Sequence, residues 1–247
     1  MLFSVFFSTV LLASLTAANP AAESEHNTPT STHNGLSARQ GNLEHRAAPI
    51  ATPTVVVTLD THQQNVGILS STDMYAKVLS GLNQLCPKGK IHCNRRSDVV
   101  QFNGIAWNNT NNWETNGHLT LGVQSATFPK DFTALRDAMV DTVARSWQFQ
   151  IEEATNCVEL KLNGDRSGKF CNVANRIEVR VAESQATDAH LHAYIYFNFN
   201  LGAEAGGKFS CVASKAGALK AIMDTKQPYL EPLKTSDVAA EVVCRNQ

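Results

Sequence analysis

From Ala189 to Leu201 the chain reads AHLHAYIYFNFNL, and its residues alternate almost without a break. Leu191, Ala193, Ile195, Phe197, Phe199 and Leu201 fall on one side, and His190, His192, Tyr194, Tyr196, Asn198 and Asn200 on the other. A period of two in aromatic and β-branched residues specifies a strand with one apolar and one polar face. A straight strand of this length would extend roughly 40 Å at about 3.4 Å per residue, so a bend or bulge is expected within it. The apolar face supplies the sheet side of a core. The polar face holds the densest cluster of side chains capable of chemistry.

The surrounding segments complete an α+β pattern. Thr54–Leu59 is a β-branched run, and Thr72 or Asp73 can cap a helix to about Leu85 with Met74, Val78, Leu82 and Leu85 on one stripe. Val99–Trp107 and Leu119–Phe128 read as strands joined by the turn-rich link Asn108–Gly117. Asp131 opens a long helix to about Glu153. Its apolar stripe is Phe132, Leu135, Met139, Val143, Trp147 and Ile151, with Arg136, Asp137, Asp141 and Arg145 on the wet side. Val158–Leu162 and Val173–Val181 are further strands. The tail reads as two helices parted by Pro228 and Pro232: Val212–Met223, and a last one capped by Ser236 that carries Val238, Val242 and Cys244. Strands and helices in this order predict a two-layer α+β sandwich, a largely antiparallel sheet with helices on one face. Its first six elements resemble the split β-α-β packing of ferredoxin-like folds.

The N-terminus bears on compartment. Residues 1–18 form an apolar run ending in small residues, too short to span a bilayer, and read as a secretory signal peptide. Residues 19–46 are poor in large apolar side chains and cannot offset their ordering entropy, so a disordered segment is expected there. It contains two Leu-x-x-Arg sequences, ending at Arg39 and Arg46. These resemble the sites at which fungal secreted effector and toxin precursors lose a pro-segment to a kexin-type protease. The remainder, 47–247, suits a single domain. All six cysteines lie in it, which in a secreted chain implies three disulfides. Nearest-neighbour pairing, Cys86–Cys93, Cys157–Cys171 and Cys211–Cys244, closes three local units. No C-x-x-C occurs, so zinc is disfavoured and no metal or cofactor is expected. The formal net charge is −1 with no basic run, which gives non-specific nucleic-acid or membrane affinity no electrostatic support. Asn108-Asn109-Thr110 is a glycosylation acceptor, expected in a surface loop.

Pairing Arg176–Val181 with His190–Tyr196, apolar face to apolar face, allows only registers that differ by two residues. The register expected here sets Val181 opposite Leu191, Ile177 opposite Ile195, Arg180 opposite His192 and Glu178 opposite Tyr194. Glu178, Arg180, His190, His192 and Tyr194 then share an outward face. A base, an acid and a cation are what phosphodiester cleavage beside a hydroxyl needs. The set resembles the residue types that small secreted fungal ribonucleases place on one sheet face. Solvated sheet faces also carry such residues for solubility and cross-strand pairing alone. His190 and His192 with Asp188 make a weak metal set. No G-x-S-x-G, H-E-x-x-H, P-loop or G-x-G-x-x-G motif occurs.

Signal peptide, pro-segment and disulfide-stapled α+β domain together resemble fungal secreted cysteine-rich effectors and killer-toxin-like proteins. That resemblance implies an extracellular, non-enzymatic protein without a membrane anchor, acting on a protein or glycan target of a host or competitor. The alternatives are a ribonuclease-like hydrolase using the polar face, and a glycan-binding module built on Trp107 and Trp113 beside the Asn-rich link.

Overall fold

The computed structural model of the chain describes residues 52–109, 112–129, 133–161, 167–182, 189–197 and 208–246, all within the unit Ala47–Gln247. The expected leader and pro-segment, with Arg39 and Arg46, lie outside the described residues. The first part of the chain gives β1 (Thr54–Asp60), β2 (Gln63–Asn65), α1 (Ser71–Leu85), β3 (Val99–Asn109), β4 (Asn112–Thr127) and α2 (Thr133–Glu152). After a 3-10 turn at Ala154–Asn156 come β5 (Cys157–Lys161), β6 (Ser167–Ala174), β7 (Arg176–Ala182) and β8 (His190–Phe197). The chain finishes with α3 (Cys211–Asp224), α4 (Lys226–Leu233) and β9 (Ala239–Arg245).

A six-stranded sheet runs in the order β3-β4-β8-β7-β1-β9, and a three-stranded sheet in the order β2-β6-β5. The larger sheet is antiparallel throughout except where β9 lies parallel to β1. The class is therefore α+β, braced by the disulfides Cys86–Cys93, Cys157–Cys171 and Cys211–Cys244, the nearest-neighbour set. Cys157 and Cys171 sit directly opposite each other on β5 and β6, while Cys211 and Cys244 tie the start of α3 to the edge strand β9.

One parity of the large sheet is apolar and buried: Val55, Val57 and Leu59, Ile177, Val179 and Val181, Leu191, Ala193 and Ile195, Leu119 and Leu121. These join Met74, Val78, Leu82, Met139, Val143, Trp147 and Ile222 from the helices in one core cluster. Val56, on the other parity, is 7% exposed beneath its neighbours yet does not belong to that cluster. Alternation thus assigns the helices to one side of the sheet. At Gly81 of α1 a Cβ would lie 2.6 Å from a Leu121 methyl and 2.9 Å from the Phe102 ring, so glycine lets α1 seat against β3 and β4.

Three sequence expectations need correction. The cap of α1 is Ser70, not Thr72 or Asp73: the Ser70 hydroxyl accepts the Asp73 N–H at 3.0 Å and donates to the Asp73 carboxylate at 2.7 Å, a reciprocal cap. The tail expected to be helical is β9. Val238, Ala240, Val242 and Cys244 are apolar at every second position, and a spacing of four satisfies both periods. Pro228 and Pro232 do not separate helices but lie within α4, one in its first turn and one near its end.

The long helix also departs from its expected single wet face. Surrounded by α1, α3, α4 and strands of both sheets, α2 buries Arg136, Thr142, Ser146 and Gln150 besides its apolar stripe. Arg136, 2% exposed, donates to Asn83 Oδ1 at 2.6 Å, to Asp137 Oδ1 at 2.7 Å and to the Cys86 carbonyl. A guanidinium there neutralises the carbonyl end of α1. Thr142 Oγ1 is 2.7 Å from Thr225 Oγ1 and 2.9 Å from the Tyr229 hydroxyl, joining α2 to the start and middle of α4.

Burial pushes the fully enclosed Tyr229 phenol far above its ordinary range, against the opposing effect of its bond to Thr142. A raised folded pKa means stability present below the unfolded value of about 10 and lost as pH climbs beyond it. Chemical denaturation across pH 7 to 11 should show the unfolding free energy falling above about pH 10. Tyr229→Phe should lose about 1 kcal/mol at pH 7 yet fall less steeply at alkaline pH. Equal alkaline slopes would contradict the burial of an obligately neutral phenol.

Candidate functional site

On the sheet face away from the helices, β-pairing lines side chains up in rows. The first row runs Arg245 on β9, Asp60 on β1, Arg176 on β7, Tyr194 on β8 and Gly122 on β4; Arg176 neighbours Asp60 by the register that pairs Ile177 with Leu59. The second runs Val243, Thr58, Glu178, His192 and Ser125, and the third Glu241, Val56, Arg180, His190 and Thr127. Opposed side chains in such rows begin about 5 Å apart. Glu178, Arg180, His190, His192 and Tyr194 therefore do share one face, as alternation required.

Their pairing differs from the expected register by two residues. Glu178 faces His192, Arg180 faces His190 and Arg176 faces Tyr194, while Ile177 faces Ala193 and Val179 faces Leu191. The Val181 N–H donates to the Ala189 carbonyl at 3.1 Å, and the Ile195 N–H to the Asn175 carbonyl at 2.8 Å, pinning both ends of the hairpin. Parity fixes which face a side chain takes but not which of the two-residue steps is chosen. On its other side β8 is held against β4, where the Tyr194 ring lies over Gly122; a Cβ on Gly122 would sit 2.3 Å from Tyr194 Cζ. Any other residue opposite Tyr194 would displace the ring.

The face is open but not fully wet. Arg180 is exposed, Glu178, His190, His192, Tyr194 and Arg176 are half-buried, and Tyr196 is 47% exposed. Among the described residues Arg176, Arg180 and Arg245 form no ion pair. The contrast is a cavity of about 320 Å³ beside α1 and α2, lined by Tyr75, Asn83, Lys88, Arg136, Asp137 and Asp141 among others. Its polar groups satisfy one another: Tyr75 donates to Asp141 at 2.7 Å, and Lys88 and Arg136 bond Asp137 at 3.0 and 2.7 Å. Burial first, then the bond to Asp141, raises the Tyr75 pKa. That cavity is held together by its own charges, whereas the guanidiniums of the sheet face have no ion-pair partner among the described residues.

Other expected sites divide. Asp188, the third member of the metal set, lies outside the described residues, and no group of three or more His, Cys, Asp or Glu among the described residues is arranged to hold a metal. Trp107 is not a loop residue open to glycans: it is 6% exposed on β3, and its indole N–H donates to Asn116 Oδ1 at 2.8 Å. The link Asn108–Gly117 is not a loop either, because β3 and β4 stay paired out to Asn109 and Asn112. Asn108 is thus a strand residue, and Thr110 of its acceptor triplet lies outside the described residues. β8 is described to Phe197, and 198–201, the expected end of the alternation, lie outside. The bulge on this side falls in β4, between Val123 and Ser125.

Sequence reasoning missed two contributors to the face, Asp60 and Arg245. Asp60 follows Leu59 at the end of a strand read as ending one residue earlier. Arg245 falls in the segment whose spacing also suits a helix. No family model, no curated protein and no solved structure matches the chain.

A double-mutant cycle tests the packing of the Tyr194 ring on Gly122. Gly122→Ala alone should cost about 1–3 kcal/mol by overpacking. In a Tyr194→Ala background it should cost at least about 1 kcal/mol less, because the clash is gone. Additive effects in urea denaturation would contradict the placement of the ring over Gly122.

Proposed function

We propose that the chain is a secreted protein of effector or toxin type that acts on a target outside the cell by binding it through the open face of the six-stranded sheet. The observation that carries this reading is the pairing state of that face: three guanidiniums without carboxylate partners among the described residues, beside two half-buried imidazoles, the half-buried Tyr194 and the exposed Tyr196. Exposed Arg and Tyr are the residues on which binding surfaces draw most of their affinity. Three disulfides, and the lack among the described residues of a helix long and apolar enough to cross a membrane, are compatible with release from the cell. The apolar leader supports the same route, and the two Leu-x-x-Arg sites support maturation before Ala47. The binding target is a protein or glycan of a host or competitor cell.

A second reading is favoured by one specific feature, Glu178 directly opposite His192 with Arg180 opposite His190. A carboxylate beside an imidazole, with a guanidinium one row away, suits proton transfer at a phosphodiester, so the same face would cleave RNA rather than only hold a target.

Two measurements test the first reading. N-terminal sequencing of the released protein should begin near Ala47, and a start at Asn19 would contradict removal of the pro-segment. Fluorescently labelled protein should bind intact candidate host or competitor cells. An Arg180→Glu/Tyr196→Asp variant should keep its melting temperature and lose most of that binding. Undiminished binding by the variant would rule the face out as the contact surface.

A further inference from the structure

Asp60 and His62 form a pair that neither reading uses. The Asp60 side chain is wholly buried, while His62, two residues on, exposes 63% of its side chain. Asp60 Oδ1 accepts the His62 backbone N–H at 3.0 Å and lies 2.8 Å from ring nitrogen Nδ1. The second carboxylate oxygen, Oδ2, is buried without a hydrogen bond. A carboxylate so placed holds the proton on Nδ1 and leaves the Nε2 lone pair to solvent, the arrangement that makes an imidazole a directed base. Buried polar atoms are normally satisfied, and an orphan oxygen on a carboxylate that orients an exposed ring points to a task beyond folding.

The neighbours narrow the substrate. Arg245 and Arg176 occupy the strands on either side of Asp60, and among the described residues neither is ion-paired, which selects an anion. Tyr194 is next in the row and Tyr196 stands exposed two residues on, aromatic surfaces on which unstacked bases can lie. Among the described residues no protein nucleophile is shown beside the pair: no cysteine is free, and the Thr61 hydroxyl is committed to Asn246 Oδ1. The attacking group must then come with the substrate, and the ribose 2′-hydroxyl of a single-stranded RNA is such a group.

We propose that the Asp60–His62 pair is the acid–base centre of a ribonucleolytic site for single-stranded RNA, with Arg176 and Arg245 on the phosphate and the two tyrosines under the bases. The proposal rests on the second reading above and supplies its base and its substrate. His62 Nε2 takes the proton of the 2′-hydroxyl as the O2′–P bond forms and the P–O5′ bond breaks. The departing O5′ takes a proton from water, whose hydroxide neutralises the imidazolium. The products are a 2′,3′-cyclic phosphate and a free 5′-hydroxyl, and no further reactant is needed. Asp60 is a positioning residue.

The test uses the wild-type chain and His62→Ala, Asp60→Asn, His192→Ala and His92→Ala variants, purified in parallel and incubated with end-labelled single-stranded RNA. Wild type and His92→Ala should yield cyclic phosphate ends at equal rates. His62→Ala should lower kcat on the order of 10²-fold or more. Long-range nitrogen–proton spectra should place the His62 proton on Nδ1 in wild type and on Nε2 in Asp60→Asn, with cleavage lost alongside; a purely structural Asp60 would not move that proton. Full activity in His62→Ala, or an Nε2 proton in the wild type, overturns the assignment. If only His192→Ala silences cleavage, the face is a nuclease with a different base. If wild-type protein leaves RNA intact, the second reading and this one fall together.

Discussion

Between Ala174 and Asn175 the chain leaves the three-stranded sheet and enters the six-stranded one, and the backbone freed at that step is taken up by α2. The Trp147 indole N–H donates to the Ala174 carbonyl at 2.8 Å, and Gln150 Oε1 accepts the Ala174 N–H at 2.7 Å. Left unmade in the interior, such groups would each cost on the order of 1–3 kcal/mol. The same helix reaches the next layer through Asn156, whose amide donates to the Gln150 carbonyl and to Ser214 Oγ, both at 2.9 Å, and whose oxygen accepts the Ser210 N–H at 2.9 Å. With α2 fixed to the junction of the two sheets, α1, α3 and α4 pack around it on the apolar side. On the polar side of the six-stranded sheet Val56, Thr58 and Asp60 of β1 are buried, while Arg180, Tyr196 and Arg245 stand exposed.

That arrangement separates two uses of charge. Arg136 is buried with both terminal nitrogens bonded, holding the end of α1 near the Cys86–Cys93 bridge. Arg176, Arg180 and Arg245 stand on the open face without ion-pair partners among the described residues, although Glu178 and Glu241 are on the same face. The face carries equal numbers of acidic and basic positions, so it attracts through local geometry and stacking rather than through a long-range field. A chain of net charge −1 can therefore hold an anionic group at one place without a general affinity for polyanions.

Much of this was legible in the residues, for reasons that can be named. Strict alternation in β8 and β7 gave the two faces, because a strand's side chains have no third direction to take. The stripe from Leu135 to Ile151 gave α2, and the cysteines' proximity gave the bridges. What the sequence concealed was tertiary. Nothing local distinguishes Arg136, buried against the end of α1, from Arg145 one face away. The spacing of Val238 and Val242 serves helix and strand alike, and only pairing with β1 decides between them. Alternation fixes the hairpin register no better than to a two-residue step; the bonds Val181–Ala189 and Asn175–Ile195 at its two ends carry the rest. Asp60 and His62, two residues apart at a strand end, carry no motif; their link appears only when one is buried and the other is not.

Hydroxyl-radical footprinting read by mass spectrometry tests the division of the sheet most directly, because it scores each side chain by its contact with water. Tyr196, His62 and Arg180 should be modified rapidly in the native protein, His190, His192 and Tyr194 at intermediate rates, and Trp147, Met139 and Tyr229 scarcely until unfolding. Protection of Tyr196 and His62 equal to that of Trp147 would mean that the polar face is covered, and the account built on its openness would be wrong.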